Sequence, residues 1–291
     1  ADYTYNNPEF RAKDINDAFA DSEVKAIFTS IGGDDSIRIL PYINTKIVKD
    51  NPKIFLGYSD TTTMNSYFNQ LGLVTLNSPS IMAGFSQWDA LGRDFQEHIQ
   101  NILFENPESY TYEKYNKFCQ GYLDWSDKIN VGKTKPMIKN KGWNWLQGST
   151  KIQGELFGGC IEVFEFMKST DFWPDENFWK GKILFFETSE DKPSPEQVKW
   201  MLRNYGVQGI FDKISALLIG RPRDYSDEEK KELDDNIIKI VKTEFKNNDL
   251  PIITNMDFGH TDPQWILPLG IKAEIDCHKK EFKLIEKIFE D

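Results

Sequence analysis

Cysteine is scarce in this chain. Its 291 residues hold three, Cys119, Cys160 and Cys277, and no two are close enough in sequence to frame a zinc knuckle or a paired thiol motif. A disulfide scaffold is therefore not indicated, and buried free thiols are expected. Cations are outnumbered as well: 35 Lys and Arg against 46 Asp and Glu leave a formal charge of −11, which argues against any general attraction to nucleic acid or an anionic membrane. No apolar run approaches the roughly 18 residues of a membrane span. The opening segment ADYTYNNPEFRAKD lacks an apolar signal-peptide core, so a cytoplasmic location is expected. The spacings of a phosphate loop and of a dinucleotide fingerprint are both missing. What the chain does have is 39% hydrophobic and 14% aromatic residues, with charges spread along its length, which at this size fits two globular domains.

Periodicity organises the chain into α/β units. PEFRAKDINDAFADS carries Phe10, Ile15, Ala18 and Phe19 as one apolar stripe and predicts a helix. The buried strand VKAIFTSI then stops at Gly32, Gly33, Asp34 and Asp35, before a helix pattern in SIRILPYI. NPKIFLGYS (strand), DTTTMNSYFNQLG (helix) and LVTLNSP (strand) complete an amino-terminal parallel-sheet domain over residues 1–88, of the Rossmann or flavodoxin-like kind. Residues 89–148 show weak periodicity and read as a linker carrying a long aromatic loop. A second, carboxy-terminal α/β domain is expected over residues 149–291. In it GELFGGCIEVFEFMKST reads as turn and helix, GKILFFETSE, ISALLIGRP and LPIITNMDFGH as strands, two helices lie between these strands, and IKAEIDCHKKEFKLIE is a terminal hairpin.

Few residues are placed to carry chemistry. Ser59, in GYSD, lies where an apolar strand passes through glycine into a helix start, a turn that can expose a nucleophile and offer unpaired backbone N–H groups; the same position suits a simple N-cap. Three histidines narrow the search for a base. His98 and His278 lie in charged stretches and read as solvated, whereas His260 sits in the loop GHTDP at a strand end, where it serves either as a base or as a turn residue. Glu187 ends the buried strand KILFFE and suits a carboxylate partner for that base; Glu190, Asp60, Asp257 and Asp262 stay open as alternatives. Gly32 and Gly33 let backbone approach a substrate, and an N–H there can share an oxyanion with that of Asp60, although an ordinary tight turn uses the same pair. Trp143 and Trp145 of GWNWLQG, with Tyr122 and Trp125, either stack on a planar ligand or pin the loop as an apolar cluster.

The blocks AIFTSIGGDDSIRILPYI, NPKIFLGYSDTTTMN, GELFGGCIEV, LFFETSE and FGHTDPQWILPLG, in this order, resemble the LD-carboxypeptidase family of serine peptidases over nearly the whole chain. The resemblance implies a two-domain homodimeric hydrolase without metal or organic cofactor. It further implies a triad of Ser59, Glu187 and His260 at the domain interface, backbone donors at Gly33 and Asp60, and Gly32 beside the substrate. Family members normally open with a further strand and helix ahead of the block matching PEFRAKDINDAFADS, and that segment is expected to be missing here. The long region before GELFGGC and the TSE after Glu187 look more like the microcin C immunity branch. That branch implies an aminoacyl-nucleotide amide as substrate, with Trp143 and Trp145 stacking on the base. The alternatives are release of D-alanine from murein tetrapeptide and an inactive binding module that keeps the fold.

Overall fold

The computed structural model describes residues 2–290. Its first sheet has four strands in the order Ala26–Phe28, Ile54–Gly57, Thr75–Asn77 and Leu267–Leu269. The first three run parallel, and the last, from far along the chain, closes the edge antiparallel to Thr75–Asn77. Helix Pro8–Ala20, with proline in its first turn, buries Phe19 against Phe55 and Phe68. The helix expected in SIRILPYI is replaced by two 3₁₀ turns, Ser36–Arg38 and Leu40–Tyr42. Pro41 falls where a continuing α-helix needs a backbone N–H, and it cannot supply one.

The second sheet has eight strands. From one edge they are Tyr110–Thr111, Glu281–Leu284, Lys272–Asp276, Lys151–Cys160, Ile183–Glu187, Ala216–Gly220, Ile252–Met256 and Asn144–Gln147. The centre, Lys151–Cys160 through Ile252–Met256, is parallel. Its strands Ile183–Glu187 and Ala216–Gly220 are buried at every residue, which is why they read as unbroken apolar runs. Helices Pro195–Val207 and Asp227–Ile238 start where Ser194 and Ser226 each accept from the N–H three residues on. The terminal hairpin forms as expected, Lys272–Asp276 pairing with Glu281–Leu284.

Two segments differ from expectation. GELFGGC belongs to the ten-residue strand Lys151–Cys160 and is not a turn. Its glycines serve close packing: a Cβ on Gly158 would fall 1.9 Å from the Phe185 carbonyl oxygen, and one on Gly159 2.5 Å from the Thr62 side chain. Residues 89–148 are woven into the second sheet and are no free linker, since Tyr110–Thr111 and Asn144–Gln147 form its two opposite edges. Lys117–Gln120 centres a small sheet with Ile138–Lys139 and Thr261–Asp262. Helix Arg93–Gln100 buries Phe95, His98 and Ile99 and runs on through a wider turn, Asn101–Glu105. Among the described residues no helix is long and apolar enough to cross a membrane.

Candidate active site

The strand Ile54–Gly57 delivers Tyr58 in extended conformation and then turns sharply. Ser59 takes up that turn with φ of 60°, a left-handed conformation uncommon for a residue with a side chain. Such backbone costs about 1–3 kcal/mol and persists where the surroundings over-determine it, as they do at strand-to-helix elbows that present a nucleophile. Gly32 supplies part of that constraint: a Cβ there would lie 2.8 Å from Ser59 Cβ and 2.9 Å from Ser59 Oγ. Asp60 supplies another. Its buried carboxylate accepts from Ser36 N at 2.9 Å and from Ser36 Oγ at 2.7 Å, tying the Ser59 turn to the loop after the first strand. Burial raises the Asp60 pKa, while these hydrogen bonds from Ser36 oppose the rise.

His260 approaches from the second sheet. Its Nε2 is 3.0 Å from Ser59 Oγ, and its Nδ1 is 2.6 Å from Oε2 of Glu187, the fully buried last residue of Ile183–Glu187. A neighbouring glycine makes the approach possible. Gly259 has φ of 104°, and a Cβ there would sit 2.8 Å from Glu187 Cβ, so both conformation and space require glycine. The loop is braced from below by Arg221, whose guanidinium pairs with Asp257 and donates to Thr261 Oγ1 at 3.0 Å, both groups of the ion pair being buried. Asn140 Nδ2 and Trp143 Nε1 donate to the same Asp257 carboxylate at 2.8 and 2.7 Å. Asp60 and Asp257 are thus engaged elsewhere, and of the carboxylates left open by the sequence Glu187 is the one that meets Nδ1.

A second carboxylate reaches the same imidazole. Glu190 Oε2 lies 2.9 Å from His260 Nε2, with its side chain 55% exposed. Burial works against charge on His260, but the flanking Glu187 and Glu190 outweigh it and raise its pKa to about 10. The Glu190 pKa is correspondingly lowered to about 2, chiefly by its hydrogen bond with His260. Asp262, two residues beyond the histidine, is pushed up to about 6 by burial against the pull of Tyr122, Gln264 and His260.

Ser59 and His260 open into a cleft of about 450 Å³ whose walls include Gly32, Gly33, Tyr122, Trp125, Glu190 and Arg223. Tyr122 and Trp125 lie with ring centroids 5.1 Å apart, and Tyr122 is fixed by a 2.7 Å hydrogen bond between its hydroxyl and that of Tyr58. Trp143 and Trp145, expected to face the substrate, are not among the residues lining this cleft. Trp143 packs edge-on against Trp265 at 5.1 Å and donates to Asp257, and Trp145 pairs in the sheet edge with Ile253. Their cluster braces the His260 loop, and the pair that faces the cleft is Tyr122 and Trp125. His98 also departs from expectation, being buried with Nδ1 2.8 Å from the Tyr110 hydroxyl and Nε2 accepting from Ile266 N at 2.8 Å. His278 is exposed as expected. Arg223 was passed over in the sequence, although it follows the buried strand ALLIG at its carboxyl end, where site loops of parallel sheets gather.

The chain is similar to known proteins over most of its length. Residues 1–78 match the model of the LD-carboxypeptidase N-terminal domain and residues 153–275 that of the LD-carboxypeptidase C-terminal domain. The Escherichia coli microcin C7 self-immunity protein MccF is 26% identical over 279 residues, covering 95% of this chain and 78% of that protein. Its structure in complex with glutamyl sulfamoyl guanosine superposes with a TM-score of 0.82, covering 97% of this chain and 82% of that one. An MccF-like protein from Streptococcus pneumoniae, solved in complex with AMP, gives a TM-score of 0.85 at 29% identity and covers 98% of this chain and 85% of its own. A probable murein peptide carboxypeptidase of Bacillus subtilis is 25% identical over 281 residues, covering 96% of this chain and 77% of that protein.

Proposed function

This chain belongs to the LD-carboxypeptidase family, and from that premise we propose that it is a serine hydrolase cleaving an amide between an acidic amino acid and a modified nucleotide. The observation that carries the reading is the continuous contact from Ser59 Oγ through His260 to Glu187, with Ser59 held in left-handed backbone at a strand end. In this reading Nε2 of neutral His260 takes the Ser59 proton while Oγ attacks the amide carbonyl carbon. The oxyanion is met by the backbone N–H groups of Gly33 and Asp60, the latter at the start of a turn whose first N–H groups have no partner within it. Glu187 keeps the proton on Nδ1 and stabilises the imidazolium, which then protonates the leaving nitrogen. Water, deprotonated by His260, releases the acyl group and restores Ser59.

The nucleotide preference rests on the cleft. Tyr122 and Trp125 offer aromatic faces to a base, and Arg223 offers a guanidinium to a phosphate-like linkage or to the acidic side chain. The relatives solved with AMP and with glutamyl sulfamoyl guanosine support this choice. The test uses a serine-reactive phosphonyl probe, with Ser59→Ala as control, followed by parallel assays on a glutamyl sulfamoyl nucleoside and a murein tetrapeptide. An adduct on Ser59 together with nucleoside cleavage is expected. Release of D-alanine from the tetrapeptide without nucleoside cleavage would replace the substrate assignment, and turnover in Ser59→Ala within about tenfold of the parent would remove Ser59 as nucleophile.

A further inference from the structure

His260 Nε2 has two neighbours that make opposite demands on it. To activate Ser59, Nε2 must present a lone pair to the hydroxyl 3.0 Å away. Glu190 Oε2, at 2.9 Å, is a carboxylate and can only accept, so contact with it requires a proton on Nε2. Nδ1 already faces the Glu187 carboxylate at 2.6 Å, which holds a proton there too. A carboxylate in contact with each nitrogen favours the protonated imidazole, and only the neutral form can act as a base. Glu190 is nonetheless the one of the two acids that can leave. It stands on the turn between Ile183–Glu187 and helix Pro195–Val207, lines the cleft and is 55% exposed, while Glu187 is fully buried.

We propose that Glu190 recognises an ammonium group on the acyl side of the substrate, and that this pairing draws it off His260 Nε2 and arms Ser59. The inference rests on the serine-hydrolase reading above and narrows its substrate class to amides whose acyl donor carries a free α-amino group. The distances fit: Glu190 Oε2 and Ser59 Oγ are both in contact with the same nitrogen, and the α-nitrogen of an aminoacyl group is two bonds from the carbonyl carbon that Ser59 attacks. Once Glu190 pairs with the ammonium, the imidazolium releases its Nε2 proton to water in the open cleft and takes up the Ser59 proton in the attack. Until such a substrate arrives, the nucleophile stays largely unactivated.

The other charged and titratable groups facing His260 do not duplicate this role. Glu187 holds the opposite nitrogen, and Asp262 is buried beside Tyr122 and Gln264. Tyr58 presents its ring at 4.9 Å, and the cation of Arg223 adds to the pull that keeps Glu190 ionised. Removing Glu190 therefore lowers the His260 pKa, so the neutral, basic form gains population at pH 7. A charge-assisted contact on a half-exposed side chain corresponds to about one pH unit, or about tenfold in the population of neutral imidazole.

The test compares the parent with Glu190→Gln, a change on an exposed side chain that leaves the core untouched. NMR of labelled histidine follows His260, one of only three histidines in the chain. An uncharged phosphonyl probe reports Ser59 reactivity at pH 7, and a glutamyl sulfamoyl nucleoside is assayed beside its N-acetyl derivative. Glu190→Gln is expected to titrate His260 about one pH unit lower and to label Ser59 about tenfold faster, and to lose the parent's roughly tenfold preference in kcat/KM for the free amine. Ser59 labelling at equal rates in both proteins, with His260 titration unchanged, would overturn the role of Glu190 and leave the serine-hydrolase reading standing. Absence of any Ser59 adduct in either protein would overturn that reading and this inference with it.

Discussion

Gly32→Ala isolates the constraint on Ser59, the proposed nucleophile, because the added methyl group meets that residue itself. Built on the existing backbone, the new Cβ lies 2.8 Å from Ser59 Cβ, 2.9 Å from Ser59 Oγ and 3.3 Å from Asp60 N. Comfortable carbon contacts begin at about 3.5 Å, so the loop or the serine must yield by roughly 0.7 Å. Ser59 has little freedom to yield, since its turn is fixed by the Asp60 and Ser36 hydrogen bonds. Displacement of a reacting atom by about 1 Å costs on the order of 10²-fold in turnover, and that is the loss expected. Stability should change little, because Gly32 does not occupy left-handed backbone and alanine narrows the unfolded ensemble by about 0.4–1 kcal/mol, which offsets part of the clash. Gly33→Ala is the matched control: its Cβ meets only Asp60 Oδ2, at 3.3 Å, and its N–H stays in place. Turnover and thermal unfolding measured on both variants decide the matter. Activity of Gly32→Ala within a few fold of the parent, or an equal loss in Gly33→Ala, would refute the idea that contact with Ser59 sets the nucleophile's position.

Two further outcomes follow from the same geometry. Burial holds His98 neutral, with its pKa lowered to about 3, while in the unfolded chain an imidazole protonates below about 6.5. The unfolded state then binds the extra proton across that window, so stability is full above pH 6.5 and declines as pH falls towards 3. His98→Gln should flatten that part of the slope in denaturant unfolding at pH 7 and pH 5, and parallel losses in parent and variant would contradict it. Trp125→Ala should raise KM for a nucleotide substrate by about 10- to 100-fold with little change in kcat, as expected for the loss of one stacked base. Trp145→Ala should leave KM unchanged, and the reverse pattern would restore Trp145 to the binding site.

The sequence was most informative where burial is complete. ILFFE and ALLIG are buried on both faces, so their apolar runs leave no doubt about strand type, and the acid and glycine at their ends mark the strand ends of the second sheet, where Glu187 meets His260. It was least informative where a residue's partner is distant in sequence. Strands of two residues such as Tyr110–Thr111 carry no period of their own and exist only because Glu281–Leu284 offers an edge. His98 looked solvated among Arg93, Asp94 and Glu97, yet Phe95, Ile99 and Ile102 put a buried stripe through the same segment, and the histidine finds partners at Tyr110 and Ile266. The GWNWLQG tryptophans were readable as either stacking groups or a cluster, and only the contacts with Trp265 and Asp257 assign Trp143 to the cluster. Glycines misled in GELFGGC for a related reason, because the need for close approach comes from Phe185 and Thr62 and leaves no local signature.

Placing Ser59 on one sheet and its two partners on another makes the site only as precise as the packing between the sheets. Three features tighten that packing close to Ser59. Cys160 N donates to Thr62 Oγ1 at 3.0 Å, joining the end of the long strand Lys151–Cys160 to the start of the helix that follows Ser59. Gly159 presses its backbone against the same threonine. The chain that carries His260 then crosses over, and Leu267–Leu269 becomes the fourth strand of the first sheet seven residues later. His260 is thus tethered to the sheet of Ser59 on one side and to Glu187 on the other, so relative motion of the sheets must strain either the Leu267–Leu269 pairing or the His260–Glu187 contact. The Glu190 side chain, 55% exposed on the turn after Ile183–Glu187, is held by no such sheet pairing, so the proposed control of His260 requires only one side chain to move and no sheet.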